Sequence, residues 1–202
     1  GPELWSSVLY GMAEGSLFDA TGCLGEARRP TRAPNGHLVF DAEANGNRDL
    51  YARVPDHVPF TPCARLTTDP AVDAAASFAP DGSWLVFRSE RDGNSEIYRM
   101  DALGGDVRRL TVDPAHDGYP SVSPDGRWIL FQSQRSGADG IWIMPAGGGP
   151  ARPVRTGRAR YATPSFLPDG CGIAYATDEA DPGTERWQVQ LAPSALCAAG
   201  AR

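Results

Sequence analysis

The sequence predicts an all-β chain folded as a β-propeller, on three observations. A turn signal of proline, then aspartate or asparagine, then glycine occurs four times, with prolines at 34, 80, 124 and 168 and therefore steps of 46, 44 and 44 residues. A short apolar run stands behind every turn, and a second glycine-bearing turn follows each run. A period of about 40–50 residues marks a repeat whose unit is one small sheet, and four-stranded meanders stacked around an axis are propeller blades.

The turn signals read Ala33-Pro34-Asn35-Gly36, Ala79-Pro80-Asp81-Gly82, Ser123-Pro124-Asp125-Gly126 and Leu167-Pro168-Asp169-Gly170. Proline supplies the φ of the second turn position, Asp or Asn suits the third, and glycine accepts the positive φ of a bulged hairpin. The runs behind them are Leu38-Val39-Phe40, Trp84-Leu85-Val86-Phe87, Trp128-Ile129-Leu130-Phe131 and Ile173-Ala174-Tyr175. They are too short for core helices and fit strands buried on both faces. Second hairpins pass through Asn45-Gly46, Asp92-Gly93, Ser136-Gly137 and Pro182-Gly183. A third strand opens on Leu50-Tyr51, Ile97-Tyr98, Ile141-Trp142 or Arg186-Trp187, and a more polar fourth closes the first three units at 64–67, 107–111 and 151–154. Pro30, Ala76, Pro120 and Pro164 sit in the strand ahead of each turn. Proline cannot donate to a ladder, so that strand forms one edge of the sheet, and Pro153 marks the fourth strand as the other.

The composite L-T-x-D-P-A-x-D, P-S-x-S-P-D-G, apolar run, S-x-R-x-G and I-Y/W-x-M resembles the repeat of TolB-type, WD-repeat-like propellers. It is fullest from Asp69 to Gly105 and from Asp113 to Gly148, and spans roughly Arg29 to Leu191. The outer units depart from it, with Asn35 for Asp and with Ala44 and Asp181 where Arg91 and Arg135 stand. The chain has no room for the separate N-terminal α/β domain of TolB and is read as a relative rather than TolB itself. The resemblance implies an extracytoplasmic bacterial location and an envelope lipoprotein or assembly component as partner.

Composition fits one domain over 1–202, with a closing segment at 1–28 and repeats at about 29–68, 69–112, 113–157 and 158–202. A formal net charge of −6 argues against nucleic acid, whose phosphates call for a basic stripe. No apolar run reaches the roughly 20 residues of a membrane-spanning helix. The chain starts Gly1-Pro2, so a removed signal sequence or lipid anchor would leave no trace. Cys23, Cys63, Cys171 and Cys197 suit two disulfides in such a compartment, with Cys23–Cys63 and Cys171–Cys197 preferred and buried free thiols the alternative.

Residues 3–28 admit two readings. Leu4, Trp5, Val8, Leu9 and Met12 recur at helical spacing, yet residues 8–10 and 17–18 around Gly15 equally suit a hairpin. A propeller must remove its sheet edges, so this segment or 195–199 is expected to complete the fourth blade or build part of a fifth. Should neither do so, the chain belongs to a larger ring or dimerises.

Catalytic signatures are missing: no G-x-S-x-G elbow, H-E-x-x-H, phosphate-binding glycine loop or C-x-x-C pair is present. His37, His57 and His116 are scattered over the units without an acid–base partner, so a non-enzymatic chain is expected. Asp69, Asp73, Asp113 and Asp117 lie in two D-P-A-x-D loops that surround one mouth of a propeller channel. Converging there, they could hold Ca²⁺, which takes six to eight oxygen ligands. The favoured alternative has Asp69 and Asp113 capping turns and Asp73 and Asp117 bonding amides of the next strand. Arg91 and Arg135 are expected to tie neighbouring blades or to recognise a carboxylate. Trp84, Trp128, Trp142 and Trp187 read as inter-blade core. The expected function is protein recognition in the cell envelope through a rim containing Asp73, Arg91, Asp92, His116, Asp117, Tyr119, Arg135, Arg158, Arg160 and Tyr161. The alternative is a small-ligand, glycan or cation sensor. No further cofactor is expected.

Overall fold

The computed structural model describes residues 9–10, 17–18, 27–53, 63–180 and 188–193. All four proline turns form as hairpins, and the Asx residue of each accepts the amide two residues on: His37 N to Asn35 at 3.1 Å, Ser83 N to Asp81 at 3.0 Å, Arg127 N to Asp125 at 3.0 Å and Cys171 N to Asp169 at 2.9 Å. The glycines close them at φ of 90°, 70°, 70° and 68°. A Cβ on Gly82 would come within 3.2 Å of Ala33 Cβ, so that turn nests on the one before it. The first hairpin is one residue shorter, closing from Ala33 N to His37 O, where the second spans Ala79 N to Trp84 O.

The first blade comprises β3 (Ala27–Arg32), β4 (Leu38–Ala44), β5 (Asn47–Arg53) and β6 (Ala64–Arg65). The second holds β7 (Asp73–Phe78), β8 (Trp84–Ser89), β9 (Glu96–Asp101) and β10 (Arg108–Arg109). The third holds β11 (Asp117–Val122), β12 (Trp128–Ser133), β13 (Gly140–Pro145) and β14 (Arg152–Arg155). The fourth holds β15 (Tyr161–Phe166), β16 (Gly172–Thr177) and β17 (Gln188–Pro193). Every sheet is an antiparallel meander, and the arrangement is a four-bladed β-propeller. The hairpin reading of the N-terminal segment holds: β1 (Leu9–Tyr10) pairs with β2 (Leu17–Phe18), as a separate sheet that adds no strand to the fourth blade among the described residues. Trp5, Cys23, His57, Asp181, Pro182-Gly183, Arg186-Trp187 and Cys197 lie outside the described residues. Cys63 and Cys171 are both disulfide-bonded.

Alternation along the two central strands makes each blade apolar on both faces, and blades stack through those faces. Val39 and Leu50 of the first blade meet Leu85, Phe87, Tyr98 and Met100 of the second. Val86 and Ile97 meet Ile129, Phe131 and Met144 of the third, whose Leu130, Ile141 and Ile143 meet Ile173 and Tyr175 of the fourth. Trp84 and Trp128 flank this core half-buried, each under a guanidinium: Arg99 stands 3.8 Å and Arg152 5.4 Å from the ring centroid. The backward face of the first blade, with Phe40 stacked on Tyr51, is buried as well. The forward face of the fourth is not. Register aligns Val189 with Ile97 and Ile141, because each pairs with the fifth residue of its neighbouring strand, yet Val189 is 78% exposed and the other two 0%. The residues that follow Ile97-Tyr98 in structural equivalence are therefore Val189-Gln190, rather than Arg186-Trp187 as spacing suggested.

A bulge recurs at one place in every inner strand, between Arg28 and Thr31, Ala74 and Ser77, Gly118 and Ser121, and Ala162 and Ser165. The extra residue takes a left-handed φ each time: Arg29 48°, Ala75 55°, Tyr119 50° and Thr163 48°. Thr163 is exposed and β-branched, the side-chain class least suited to that region. Thr163→Gly is expected to stabilise the fold by up to about 1 kcal/mol, read as a rise in the thermal midpoint.

Candidate functional site

Loops that lead into the inner strands and loops of the second hairpins gather on one face of the blades. Their shape is set by two polar clusters that repeat in the middle units. In the first cluster Asp73 and Ser89 are direct cross-strand partners, and so are Asp117 and Ser133. An arginine two residues beyond the serine can therefore reach both. Arg91 Nε donates to Ser89 Oγ at 2.8 Å while its NH2 donates to Asp73 Oδ2 at 3.0 Å. Arg135 repeats this with Ser133 Oγ at 2.9 Å and Asp117 Oδ2 at 2.5 Å. The guanidinium groups also cover aromatic pairs, Arg91 at 4.9 Å from the Tyr98 ring and Arg135 at 5.1 Å from that of Trp142. Burial raises the Asp73 and Asp117 carboxyls above the ordinary carboxylate value, and the neighbouring serine and arginine pull them back. Both arginines lock their own blade, and Arg135 also reaches the loop from the second blade through Asp113 Oδ2 at 3.7 Å, the tie between blades expected of it. Asp73 and Asp117 accept from guanidinium groups rather than from strand amides. The tie between first and second blades is a different residue: buried Asp41 accepts Ala75 N at 3.2 Å and Arg29 NH1 at 3.3 Å.

Sequence reasoning missed the second cluster, although Arg-Leu-Thr occurs at both 65–67 and 109–111. Buried Glu96 accepts Arg109 NH2 at 2.7 Å, the Thr111 hydroxyl at 2.5 Å and Asp113 N at 2.8 Å. Buried Asp49 takes Arg65 NH2 at 2.6 Å and the Thr67 hydroxyl at 3.3 Å. These contacts fix the start of each D-P-A-x-D loop. Asp69 and Asp113 then cap the loop through the amides of Ala71 and Ala115, both at 2.9 Å. Asn94 Nδ2 clamps it from the neighbouring hairpin through Asp113 O at 2.8 Å. Among the described residues no three His, Cys, Asp or Glu side chains form a group able to hold a metal ion.

The remaining rim candidates divide into inward and outward groups. Tyr161 is core, edge-on to Tyr175 at 5.9 Å. Arg160 is held by Asp178, Nε to Oδ2 at 2.9 Å, an aspartate that spacing did not single out. Register puts Glu179, not Asp181, at the place of Arg135. Asp92 takes the Tyr98 hydroxyl and Arg109 NH1, the latter at 3.2 Å. Outward stand His116 and Arg158, both exposed, with Tyr119 half-buried beneath Arg29, whose guanidinium carbon is 5.5 Å from the ring centroid. Between the second and third blades His116, Asp117 and Tyr119 border a polar cleft of about 330 Å³ with Arg88, Glu90 and Ser95 opposite.

Residues 20–116 match the family model described as the TolB beta propeller domain. A TolB homolog of Chlorobium luteolum is 31% identical over 74 residues, which cover 37% of this chain and 16% of that protein. The Tol-Pal system protein TolB of Bordetella pertussis is 40% identical over 43 residues, covering 21% of this chain and 10% of its own. The structure of a putative TolB from Agrobacterium tumefaciens superposes with a TM-score of 0.72 at 24% identity, over 83% of this chain and 61% of that one. The chain thus spans a minor part of its curated relatives. Residues 20–116 take in the first two of the four blades, and the chain as a whole is a TolB-like four-bladed β-propeller.

Proposed function

We propose that the chain is a non-enzymatic protein-interaction module of the bacterial cell envelope, binding its partner through the outward surface of the loop rim. The observation that carries this reading is the pair of buried polar clusters, which hold successive loops of one face in fixed positions. A rim set in advance loses little conformational entropy when a partner docks, and loops on a rigid scaffold are where recognition concentrates. Similarity to a protein named for the Tol-Pal system supports an envelope partner and an extracytoplasmic location. No helix among the described residues is long and apolar enough to cross a membrane.

Capture from an envelope extract tests the reading, with the parent chain beside a variant carrying His116→Ala and Arg158→Glu. Both residues are exposed and His116 accepts only the long bond from Ser95 N at 3.4 Å, so the variant should keep its thermal midpoint within about 2–4 °C. One protein held by the parent and lost by the folded variant is the expected result. Equal retention by both would sink the proposed surface.

A further inference from the structure

We propose that the cleft between the second and third blades is a binding site for a neutral, hydroxyl-rich ligand, a saccharide of one or two rings. Its volume of about 330 Å³ lies at the small end of ligand pockets. The cleft is bounded by the ends of β8 and β12, the start of β11 and the hairpin loops on either side. Three buried polar atoms of residues in its wall, Ser95 Oγ, Arg88 Nε and Asp117 Oδ1, have no hydrogen-bond partner. Ser95 is 4% exposed, and buried polar groups are ordinarily paired.

The chemistry of the wall selects the class of ligand. Glu90, Asp117 and Asp139 bring carboxylates, which disfavour a phosphate or carboxylate guest. Arg88 stands in the same wall with its Nε buried and unpaired, and its positive charge disfavours a bare cation; its NH2 already holds Glu90 at 3.3 Å. His116 accepts Ser95 N through Nδ1 at 3.4 Å, so the neutral ring presents Nε2–H as a further donor. Gln132 offers an amide NH2, since its Oε1 accepts Thr163 N at 3.4 Å. Donors and acceptors thus lie side by side around one space. A hydroxyl group donates once and accepts twice, so adjacent hydroxyls satisfy such a wall where a group of single character cannot. Tyr119, held in place by its left-handed backbone and by Arg29, adds an aromatic flank.

The site shares the rim of the proposed protein interface and does not depend on a protein partner, so the two readings fail separately. The test is calorimetric titration of the purified chain with glucose, galactose, mannose and N-acetylglucosamine, beside methylguanidinium chloride and sodium phosphate. Gln132→Ala with Asp139→Ala removes wall groups that make few internal bonds, and its fold is checked by circular dichroism. The expected result is saturable binding of at least one saccharide with a dissociation constant of about 0.1–10 mM, weakened about tenfold or more in the double variant. The inference is overturned if no saccharide saturates the folded parent below about 50 mM. It is equally overturned if methylguanidinium or phosphate is what binds, or if the folded double variant binds saccharide as the parent does.

Discussion

Arg135→Leu is expected to destabilise the chain by about 3–5 kcal/mol, because the leucine leaves a fully buried Asp117 without its guanidinium. For a domain of this size that is a fall of about 6–20 °C in thermal midpoint. Leucine can still pack against the Phe131 and Trp142 rings, so the loss reports the charge more than the volume. Replacing Asp117 by leucine at the same time should restore most of it, since a buried pair exchanged for apolar groups of similar size is often neutral. The pH dependence has a definite sign. Burial already raises the Asp117 carboxyl, and losing Arg135 raises it further. A group whose folded value lies above its unfolded one weakens the fold as it ionises. The deficit of Arg135→Leu is therefore complete at pH 8 and shrinks as the pH falls toward 4. A deficit independent of pH would mean that the lost ring contacts dominate.

Equivalent positions should respond differently in the third and fourth blades. Ile141→Ala is expected to cost about 2–5 kcal/mol, since Ile141 lies wholly between blades. Val189→Ala, at the matching place one blade on, should change stability by no more than about 0.5 kcal/mol. Leu191, 69% exposed beside it, should behave like Val189. Denaturant midpoints of the three single variants settle the matter, and comparable losses for Val189 and Ile141 would show that the forward face of the fourth blade is covered in solution.

The fold was legible because turn chemistry and apolar runs recur together at one period. Pro-Asp-Gly at 80–82 and 124–126 can hardly be anything but hairpins when Leu85-Val86-Phe87 and Ile129-Leu130-Phe131 follow. Degraded repeats were harder. Without an aromatic third strand in the fourth unit, spacing favoured Arg186-Trp187 over Val189-Gln190, and only register separates them. The candidate site was legible as a set of residues and not as a set of roles. Arg91 and Arg135 stand out in the sequence, but Ser89 and Ser133, which turn them inward, are ordinary residues whose meaning comes from lying opposite Asp73 and Asp117. Glu96 escaped notice for a similar reason: its partners Arg109 and Thr111 lie on the next strand and just beyond it. Ser95 and Arg88 could not be linked to His116 by any spacing, because the cleft that joins them exists only once two blades pack.

In the proposed role the repeated aspartate and arginine residues hold the rim while exposed residues meet the partner. The most direct measurement is partner capture against thermal midpoint for two variants, Arg135→Leu and His116→Ala with Arg158→Glu, assayed well below either midpoint. Arg135→Leu is expected to melt early yet still capture partner while folded, whereas the outward variant melts within a few degrees of the parent and captures none. The reverse, with the outward variant binding and folded Arg135→Leu failing to bind, would place the contact at Arg135 rather than at His116 and Arg158 and overturn the proposed surface.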